Sequence, residues 1–272
     1  MKTCMIIGGG GYIGRHLRNY LEERQWRCRV YDIAAAENAI EKLDLCCRND
    51  LENLDFQVDA LFLLSGRTGT TAGFDSYRDF VDVNEIGLLN LLDAIRRTPY
   101  RPRVIFPSTR LVYRGASGNL TEEAPKEGKS IYAVNKLAAE NYLFAYRENF
   151  DIPYTVIRIC VPYGNFLSKE YSFGTIGFFT RMAMAGKPIP LYGGGAVRRT
   201  FTHIGDICRI MDELAINPLA EGEVFNIGGD AYSLAEAALL IGEYYGVGIT
   251  SVPWPDADLR IESGDTVFSD AK

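Results

Sequence analysis

The glycine cluster near the N-terminus is the feature that most constrains the fold. A short apolar run, residues 3–9, ends in glycine, which is typical of a buried parallel strand, and residues 12–24 then show helical periodicity. Between them, "IIGGGGYIGRHL" places Gly8, Gly11 and Gly14 in a G-x-x-G-x-x-G spacing. Glycine lets the backbone turn sharply and approach a pyrophosphate at the positive N-terminus of a helix. We therefore predict that this segment binds a dinucleotide.

An acidic residue at the end of the second strand bears on which dinucleotide is bound. Residues 27–33 are predicted to form that strand, and Asp32 lies at its end. A carboxylate there accepts hydrogen bonds from the adenosine ribose and repels a 2′-phosphate, so it favours NAD over NADP. Arg15, just inside the first helix, could reach a 2′-phosphate, so NADP stays open as the alternative.

Strands and helices continue to alternate through the first half of the chain. Further strands are predicted over 58–66, 103–109 and 154–159, and long helices over 80–97 and 132–149. This alternation predicts an α/β fold, a Rossmann-like doubly wound parallel sheet, with the NAD-binding domain over residues 1–160.

Longer loops rich in glycine and proline follow residue 160. Helices are predicted there over 174–186, 204–216 and 233–246. Residues 161–272 should form mainly a smaller substrate-binding portion, with segments near 200–228 returning to the first domain.

Composition excludes several classes of partner. The formal net charge is −6 with no long basic stripe, so nucleic acid is not expected, and no apolar stretch is long enough to span a membrane. The 6 cysteines show no metal-ligand spacing and there are only 2 histidines, so no metal site is predicted. Free cysteines in apolar strands fit a reducing cytoplasm.

A tyrosine and a lysine share one face of a predicted helix. In "SIYAVNKLAAENYLFAY", residues 130–146, Tyr132 and Lys136 stand at positions i and i+4. This pattern alone fits simple packing with a solvated lysine as well as it fits catalysis, so the rest of the chain has to decide.

Several motifs occur in a fixed order along nearly the whole chain. After the glycine loop come "LDL" (43–45), "LFLLSG" (61–66), "VNEIGLLNLLDA" (83–94), "FPSTRLVY" (106–113), "YAVNK" (132–136), "RRTFTHIGDIC" (198–208) and "VFNIGG" (224–229). In this order they resemble the extended short-chain dehydrogenase/reductases, the group of NAD-dependent nucleotide-sugar epimerases and dehydratases.

The resemblance implies roles for individual residues. Tyr132 would be the acid/base, Thr109 would hydrogen-bond the reacting oxygen, and Lys136 would lower the pKa of Tyr132 and hold the nicotinamide ribose. Arg199 and Arg260, with Thr109, would bind the substrate. The residues expected at the cofactor are Gly8, Gly11, Tyr12, Ile13, Gly14, Asp32, Asp44, Leu45, Leu64, Ser65, Gly66, Asn84, Tyr132 and Lys136.

Departures from the family pattern narrow the reaction. The 4,6-dehydratases carry an Asp-Glu pair after the catalytic threonine and the decarboxylating members carry a glutamate there, whereas this chain has Arg110 and Leu111. We therefore expect a nucleotide-sugar 4-epimerase working through a transient 4-keto sugar. An NAD(P)H-dependent 4-ketoreductase of a deoxy-sugar nucleotide is the alternative. A non-catalytic dinucleotide sensor is disfavoured because both Tyr132 and Lys136 are present. Val161 replaces an asparagine that in the family normally touches the sugar nucleotide, so the identity of the substrate, including its nucleotide, stays open.

Two further expectations concern assembly and the end of the chain. In the family, helices corresponding to 80–97 and 132–149 pair into a four-helix bundle, which predicts a homodimer. Leu88, Leu92, Leu137 and Tyr142 are candidates for that face, although they could instead face the sheet. "FSDAK" (268–272) resembles a motif that precedes a final family helix, which this chain is expected to lack.

Overall fold

A computed structural model of the protein describes residues 1–34, 40–167, 173–269 and 271–272, so Asp270 of the "FSDAK" motif lies outside the described residues. The strands are β1 Thr3–Ile7, β2 Arg27–Asp32, β3 Glu41–Lys42, β4 Ala60–Leu63, β5 Arg103–Thr109, β6 Asn119–Leu120, β7 Tyr154–Ile159, β8 Val161–Tyr163, β9 Ile189–Tyr192, β10 Arg198–His203, β11 Val224–Asn226, β12 Asp230–Ser233, β13 Ile249–Val252 and β14 Val267–Phe268. The α-helices are α1 Tyr12–Glu23, α2 Arg48–Glu52, α3 Ala72–Asp75, α4 Tyr77–Val81, α5 Gly87–Arg96, α6 Ile131–Phe150, α7 Gly174–Met184, α8 Ile204–Ile216, α9 Leu234–Tyr245 and α10 Asp256–Ile261.

A parallel sheet forms the centre of the molecule. Its strands lie in the order β11-β7-β5-β4-β1-β2-β3, and every neighbouring pair is parallel. All residues of β4 and β7 are buried, which explains why these strands are continuous apolar runs in the sequence. The sheet order reverses at β1 and β4, where the chain leaves toward opposite faces. This confirms the predicted Rossmann-like doubly wound fold.

Alternate residues of the first strand belong to two separate cores. Met5 and Ile7 pack in the core that contains apolar residues of α5 and α6. Cys4 and Ile6 pack in the core that contains apolar residues of α1 and α8. Because strand side chains alternate between faces, each face of the sheet is covered by its own pair of helices.

Smaller sheets and two helices make up much of the later part of the chain. Strands β12, β10 and β8 form one sheet, β13 pairs with β9, and β14 pairs with β6. Helices α7 and α9 pack on each other over a separate apolar cluster that includes Phe179 and Leu191. Helix α8 and strand β11, although late in sequence, lie with the central sheet. The proposed domain boundary at residue 160 stays a prediction.

The helix predicted over 80–97 is interrupted. Residues Asp82–Ile86 form a π-helical turn between α4 and α5. Of the residues suggested for a dimer face, Leu88 and Leu92 are buried in the core under the sheet, because α5 turns its leucines toward β1 and β4. These two leucines therefore follow the alternative that the sequence left open, an orientation toward the sheet. Val134, Phe144 and Phe150 are the exposed large apolar residues of α6, and the dimer itself stays a prediction.

Among the described residues no helix is long and apolar enough to cross a membrane.

A buried ion pair attaches α6 to the sheet. Glu140 on α6 lies 2.5 Å from the Arg158 guanidinium on β7, and the two side chains are only 8% and 5% exposed. The Ser108 hydroxyl on β5 donates to the same carboxylate at 2.5 Å, and Arg158 also donates to the Tyr113 hydroxyl at 2.6 Å. The carboxylate is thus compensated by one cation and by hydrogen bonds, which is the condition for a stable buried charge.

Replacing Glu140 by methionine should leave the Arg158 guanidinium buried without its counter-charge. We expect the free energy of unfolding to fall by about 3–5 kcal/mol, the usual cost of breaking a buried pair from one side. The exposed Glu148, which pairs with Arg147 on the same helix, provides the control. Glu148→Met should change stability by no more than about 0.5 kcal/mol. Urea unfolding of both variants measures the difference, and equal stabilities would contradict the role given to Glu140.

Candidate active site

The glycine turn after β1 brings two backbone segments into direct contact. Gly8 has φ +90, and a Cβ there would lie 2.3 Å from the backbone nitrogen of Ser65, in the loop after β4. A Cβ on Gly14, in the first turn of α1, would lie 2.4 Å from the Gly8 carbonyl oxygen. Any side chain would force these segments apart, so both positions require glycine. The turn therefore leaves the start of α1 open to an anion.

Asp32 is bonded to this glycine loop. Its Oδ2 accepts a hydrogen bond from the Gly10 amide at 2.9 Å, and its Oδ1 accepts one from the Ala34 amide at 3.1 Å. The carboxylate thereby orders the loop and still borders the cavity beside it. Its two oxygens retain lone pairs that a ribose hydroxyl can use.

A cavity of about 300 Å³ lies at the carboxyl ends of β1, β2 and β4. Of the residues predicted for the cofactor, those that line it are Gly8, Gly11, Asp32, Asp44, Leu45, Leu64, Ser65 and Gly66. The Ser65 hydroxyl is buried there without a hydrogen-bond partner among the described residues. The cavity also lies where the strand order reverses, which is the usual ligand site of such sheets. Shape, open donors and the glycine cradle fit a dinucleotide.

Four predicted cofactor residues, Tyr12, Ile13, Gly14 and Asn84, do not line the cavity. The Asn84 amide accepts from the Arg67 amide at 2.8 Å and donates to the Arg67 carbonyl at 3.0 Å, so it holds the loop after β4. Tyr12 donates to the Gly164 carbonyl at 2.7 Å and stacks on Phe173, and so turns toward the later part of the chain. Ile13 packs against the core and Gly14 is buried in α1.

The sequence reasoning did not single out several other residues of this cavity. They are Ile7, Ile33, Leu43, Cys46, Arg67 and Val83. Most of them are apolar residues next to a predicted cofactor residue. Their position beside "LDL" or Asn84 is the sequence signal that could have indicated them. Arg67 follows Gly66 and is held in place by Asn84, which no local pattern indicates.

The three predicted catalytic residues meet at the carboxyl end of β5. Thr109 is the last residue of β5, and Tyr132 lies in the first turn of α6, which Ser130 caps by accepting from the Ala133 amide. Lys136, one turn further along α6, donates from Nζ to the Pro107 carbonyl at 2.8 Å. Its Nζ lies 5.9 Å from the centre of the Tyr132 ring. A single helix face thus presents the phenol and the ammonium to the end of one strand.

Burial has the largest effect on the pKa values of Tyr132 and Lys136. It raises the pKa of Tyr132 to about 12, against the opposing effect of its hydrogen bond with Thr109. It lowers the pKa of Lys136 to about 8, against the nearby Glu140 carboxylate. The expected lowering of the Tyr132 pKa by Lys136 is not part of this balance in the protein alone, where burial raises the pKa and the hydrogen bond with Thr109 opposes it. At neutral pH Tyr132 is a phenol and Lys136 carries its proton.

The predicted substrate arginines are placed differently from each other. Arg199 is buried and lines a second cavity of about 190 Å³, where its guanidinium lies 2.7 Å from Glu262. Arg260 is exposed on α10 and does not line that cavity, although Asp258 and Glu262 do. The structure therefore does not bring the two arginines together, because Glu262, directly after α10, lies against Arg199 while Arg260 faces outward.

Comparison with known proteins agrees with this fold and arrangement. The sequence profile of the NAD dependent epimerase/dehydratase family matches residues 4–228. A dTDP-L-rhamnose 4-epimerase of Burkholderia thailandensis is 28% identical, with 97% of this chain and 85% of that protein covered. A dTDP-glucose 4,6-dehydratase of Neisseria gonorrhoeae is 27% identical, with 84% and 73% covered. The solved UDP-glucose 4-epimerase of Thermus thermophilus, a complex with NAD, superposes on this chain with a TM-score of 0.86 at 22% identity. The superposition covers 98% of this chain and 90% of that one.

The chain belongs to the NAD-dependent epimerase/dehydratase family, and it is an enzyme of that family with NAD as its cofactor. Its relatives include both epimerases and dehydratases at similar identity, so membership alone leaves the reaction open.

Asp32 provides a test of cofactor choice that spares the loop. Asp32→Asn keeps an oxygen that can accept from the Gly10 amide but removes the negative charge that repels a 2′-phosphate. We expect the affinity ratio of NAD to NADP to fall by about tenfold, the equivalent of one pairwise charge effect of roughly 1.4 kcal/mol. Asp55→Asn, an acid paired with Arg29 away from the cavity, is the control. Calorimetric titration with both dinucleotides gives the ratio, and an unchanged ratio in Asp32→Asn would show that another residue sets the preference.

Proposed function

We propose that the protein is an NAD-dependent nucleotide-sugar epimerase of the 4-epimerase type, acting through a transient 4-keto sugar. The observation that carries the proposal is the composition of the turn after β5. Thr109 and Tyr132 provide a hydroxyl and an acid/base at one point, while Arg110 and Leu111, the two residues that follow Thr109, supply no acid. Elimination of water at C5 and C6 of a sugar needs such an additional acid, whereas epimerisation at C4 does not.

The dinucleotide would lie in the cavity at the carboxyl ends of β1, β2 and β4. Gly8, Gly11 and the start of α1 would face its pyrophosphate, and Asp32 its adenosine ribose. Asp44 and Leu45 line the same cavity and would contact the adenine. Lys136 would donate to the nicotinamide ribose with the ammonium hydrogens that Pro107 does not use. The bound dinucleotide would supply the hydride chemistry at C4 of the sugar.

The chain's own residues handle the proton. Removal of the C4 hydroxyl proton requires Tyr132 as phenolate, and its pKa of about 12 in the protein alone opposes this. The Lys136 ammonium and the positive ring of bound NAD both favour the phenolate, so the acid/base becomes active when the cofactor is present. The Thr109 hydroxyl, already hydrogen-bonded to Tyr132, would hold the same sugar oxygen. After the keto sugar has rotated within the site, return of the proton to that oxygen would complete a cycle with no net change in NAD.

The product and the fate of the cofactor test the proposal together. Purified protein is incubated with UDP-, dTDP- and CDP-hexoses, and the sugars are then analysed by NMR. We expect interconversion of C4 epimers with no stoichiometric change in NADH absorbance, because the hydride returns to the same carbon. Stoichiometric oxidation of NADH or NADPH with a 4-keto sugar would instead establish a ketoreductase. Formation of a 4-keto-6-deoxy sugar would establish a dehydratase, and either result would overturn the proposal.

Variants of the two α6 residues separate proton transfer from cofactor binding. Tyr132→Phe removes one oxygen, so the fold and NAD affinity should persist while kcat falls by roughly 100- to 10,000-fold, the usual contribution of a positioned acid/base. Lys136→Met should lower both kcat and NAD affinity because the lysine serves both. Tyr146→Phe, another α6 tyrosine that packs against the core, is the control and should keep full activity. Undiminished turnover in Tyr132→Phe would refute the mechanism.

A further inference from the structure

The second cavity, next to the turn after β5, is lined by an arginine whose buried Nη1 has no hydrogen-bond partner among the described residues. It has a volume of about 190 Å³, and its charged lining residues are Arg110, Arg199, Asp258 and Glu262. Two arginines thus face a small space near Thr109. The two arginines differ in whether the protein supplies a carboxylate partner for them.

Arg199 is fully engaged within the protein. One terminal nitrogen lies 2.7 Å from the Glu262 carboxylate, and the other donates to the Arg198 and Gly264 carbonyls at 2.8 and 2.7 Å. The same Glu262 oxygen also accepts from the Ser263 and Gly264 amides. Arginine and glutamate therefore form a closed group that has little charge left for a ligand.

Arg110 has no direct ion pair of this kind, and Glu262 acts on it only from beyond 4.0 Å. Its Nη1 is buried and has no hydrogen-bond partner, and within the described part of the chain no carboxylate lies within 4.0 Å of its guanidinium. Burial, and next to it the charge of Arg199, lower the pKa of Arg110 to about 10, so it is still cationic at neutral pH. A buried charged donor without an acceptor is costly, and a folded protein tolerates it where a ligand supplies the acceptor.

The position of Arg110 indicates which part of a substrate it would meet. It directly follows Thr109, which is hydrogen-bonded to Tyr132, and Leu111 lines the same cavity. If Tyr132 acts on the sugar ring, groups attached to that ring come closest to Arg110. The nucleotide's diphosphate would lie further from the reacting carbon.

We propose that Arg110 binds a carboxylate carried by the sugar ring, so that the substrate is a nucleotide-linked acidic sugar such as a hexuronate. This inference rests on the proposed function, since it assumes a nucleotide sugar at the same site. A planar guanidinium fork matches a carboxylate with two parallel hydrogen bonds, which a lysine or a neutral side chain cannot reproduce. The acid would also offset the repulsion between Arg110 and Arg199.

Binding of matched ligands tests the proposal without relying on turnover. UDP-glucuronate, UDP-glucose and UDP alone are titrated calorimetrically into the NAD-loaded protein, and the series is repeated with the dTDP compounds. We expect the acidic sugar nucleotide to bind about 10- to 100-fold more tightly than the neutral one, the usual effect of a charge-assisted hydrogen bond. In Arg110→Met this preference should disappear. Arg114→Met, an exposed arginine nearby, should keep it.

The other outcomes each decide a separate point. If Arg110→Met weakens both sugar nucleotides and the bare nucleotide equally, the anion is the diphosphate and the carboxylate proposal is wrong. Equal affinities for acidic and neutral sugars in the unaltered protein, or no binding of any compound, would also overturn it. Arg110→Lys keeps the charge but loses the planar fork, so its preference for the acidic sugar should lie between those of the unaltered protein and Arg110→Met. It also keeps the test decisive if Arg110→Met fails to fold. A binding preference without C4 epimerisation would refute the proposed function and leave this inference standing.

Discussion

The attachment of helix α6 to strand β5 is the interaction on which the site depends. Tyr132, Lys136 and Glu140 follow one another at intervals of one turn on a single helix face. Lys136 is hydrogen-bonded to the Pro107 carbonyl and Glu140 to the Ser108 hydroxyl, while the next residue of the strand is Thr109. Three consecutive strand residues thus each meet a different turn of the helix, and a slip of one residue along either would separate the phenol from the threonine.

The same burial that fixes these residues also shifts their pKa values, and under the proposed function it would keep Tyr132 protonated until a positively charged cofactor binds. Desolvation disfavours the charged form of every group, so it raises the pKa of Tyr132 and lowers that of Lys136. Neutral forms are therefore stabilised in the protein alone. A cofactor with a positively charged ring shifts this balance toward the phenolate, which links acid/base activity to cofactor occupancy. The buried pair of Glu140 with Arg158 contributes by keeping a carboxylate near Lys136 without exposing it to the cleft.

Most of the fold could be predicted because buried parallel strands have a simple sequence pattern. Strands β5 and β7 were expected over 103–109 and 154–159, and the structure has Arg103–Thr109 and Tyr154–Ile159. The π-helical turn at Asp82–Ile86 was not predicted, because apolar spacing runs through it without interruption. The inward orientation of Leu88 and Leu92 could not be chosen in advance either, since apolar residues occur on more than one face of that helix.

The site was predictable where it depends on local chemistry and not where it depends on distant contacts. The glycine spacing predicts a sharp turn and a close approach to a pyrophosphate; the structure shows the turn, with Gly8 packed against the backbone of Ser65, and the approach to a pyrophosphate stays a prediction. The partner of Arg199 was not accessible in this way. Arg260 and Glu262 are two residues apart on the same segment, and only the orientation of α10 decides which one faces Arg199.

The division of the chain explains why family membership settles the cofactor more firmly than the reaction. The first half supplies the glycine turn, the acid after β2 and the helix with Tyr132 and Lys136, and each acts on a part of the chemistry that all members share. The substrate cavity combines the two residues after Thr109 with residues from β10, α10 and the loops around them. Under the proposed function those elements would touch the sugar but not the dinucleotide, so they could change without disturbing hydride transfer. Arg110 and Leu111, in place of the acids of the dehydratases, would be a change of this kind, since they alter the charge presented to the sugar while Thr109, one residue earlier, stays at the end of β5.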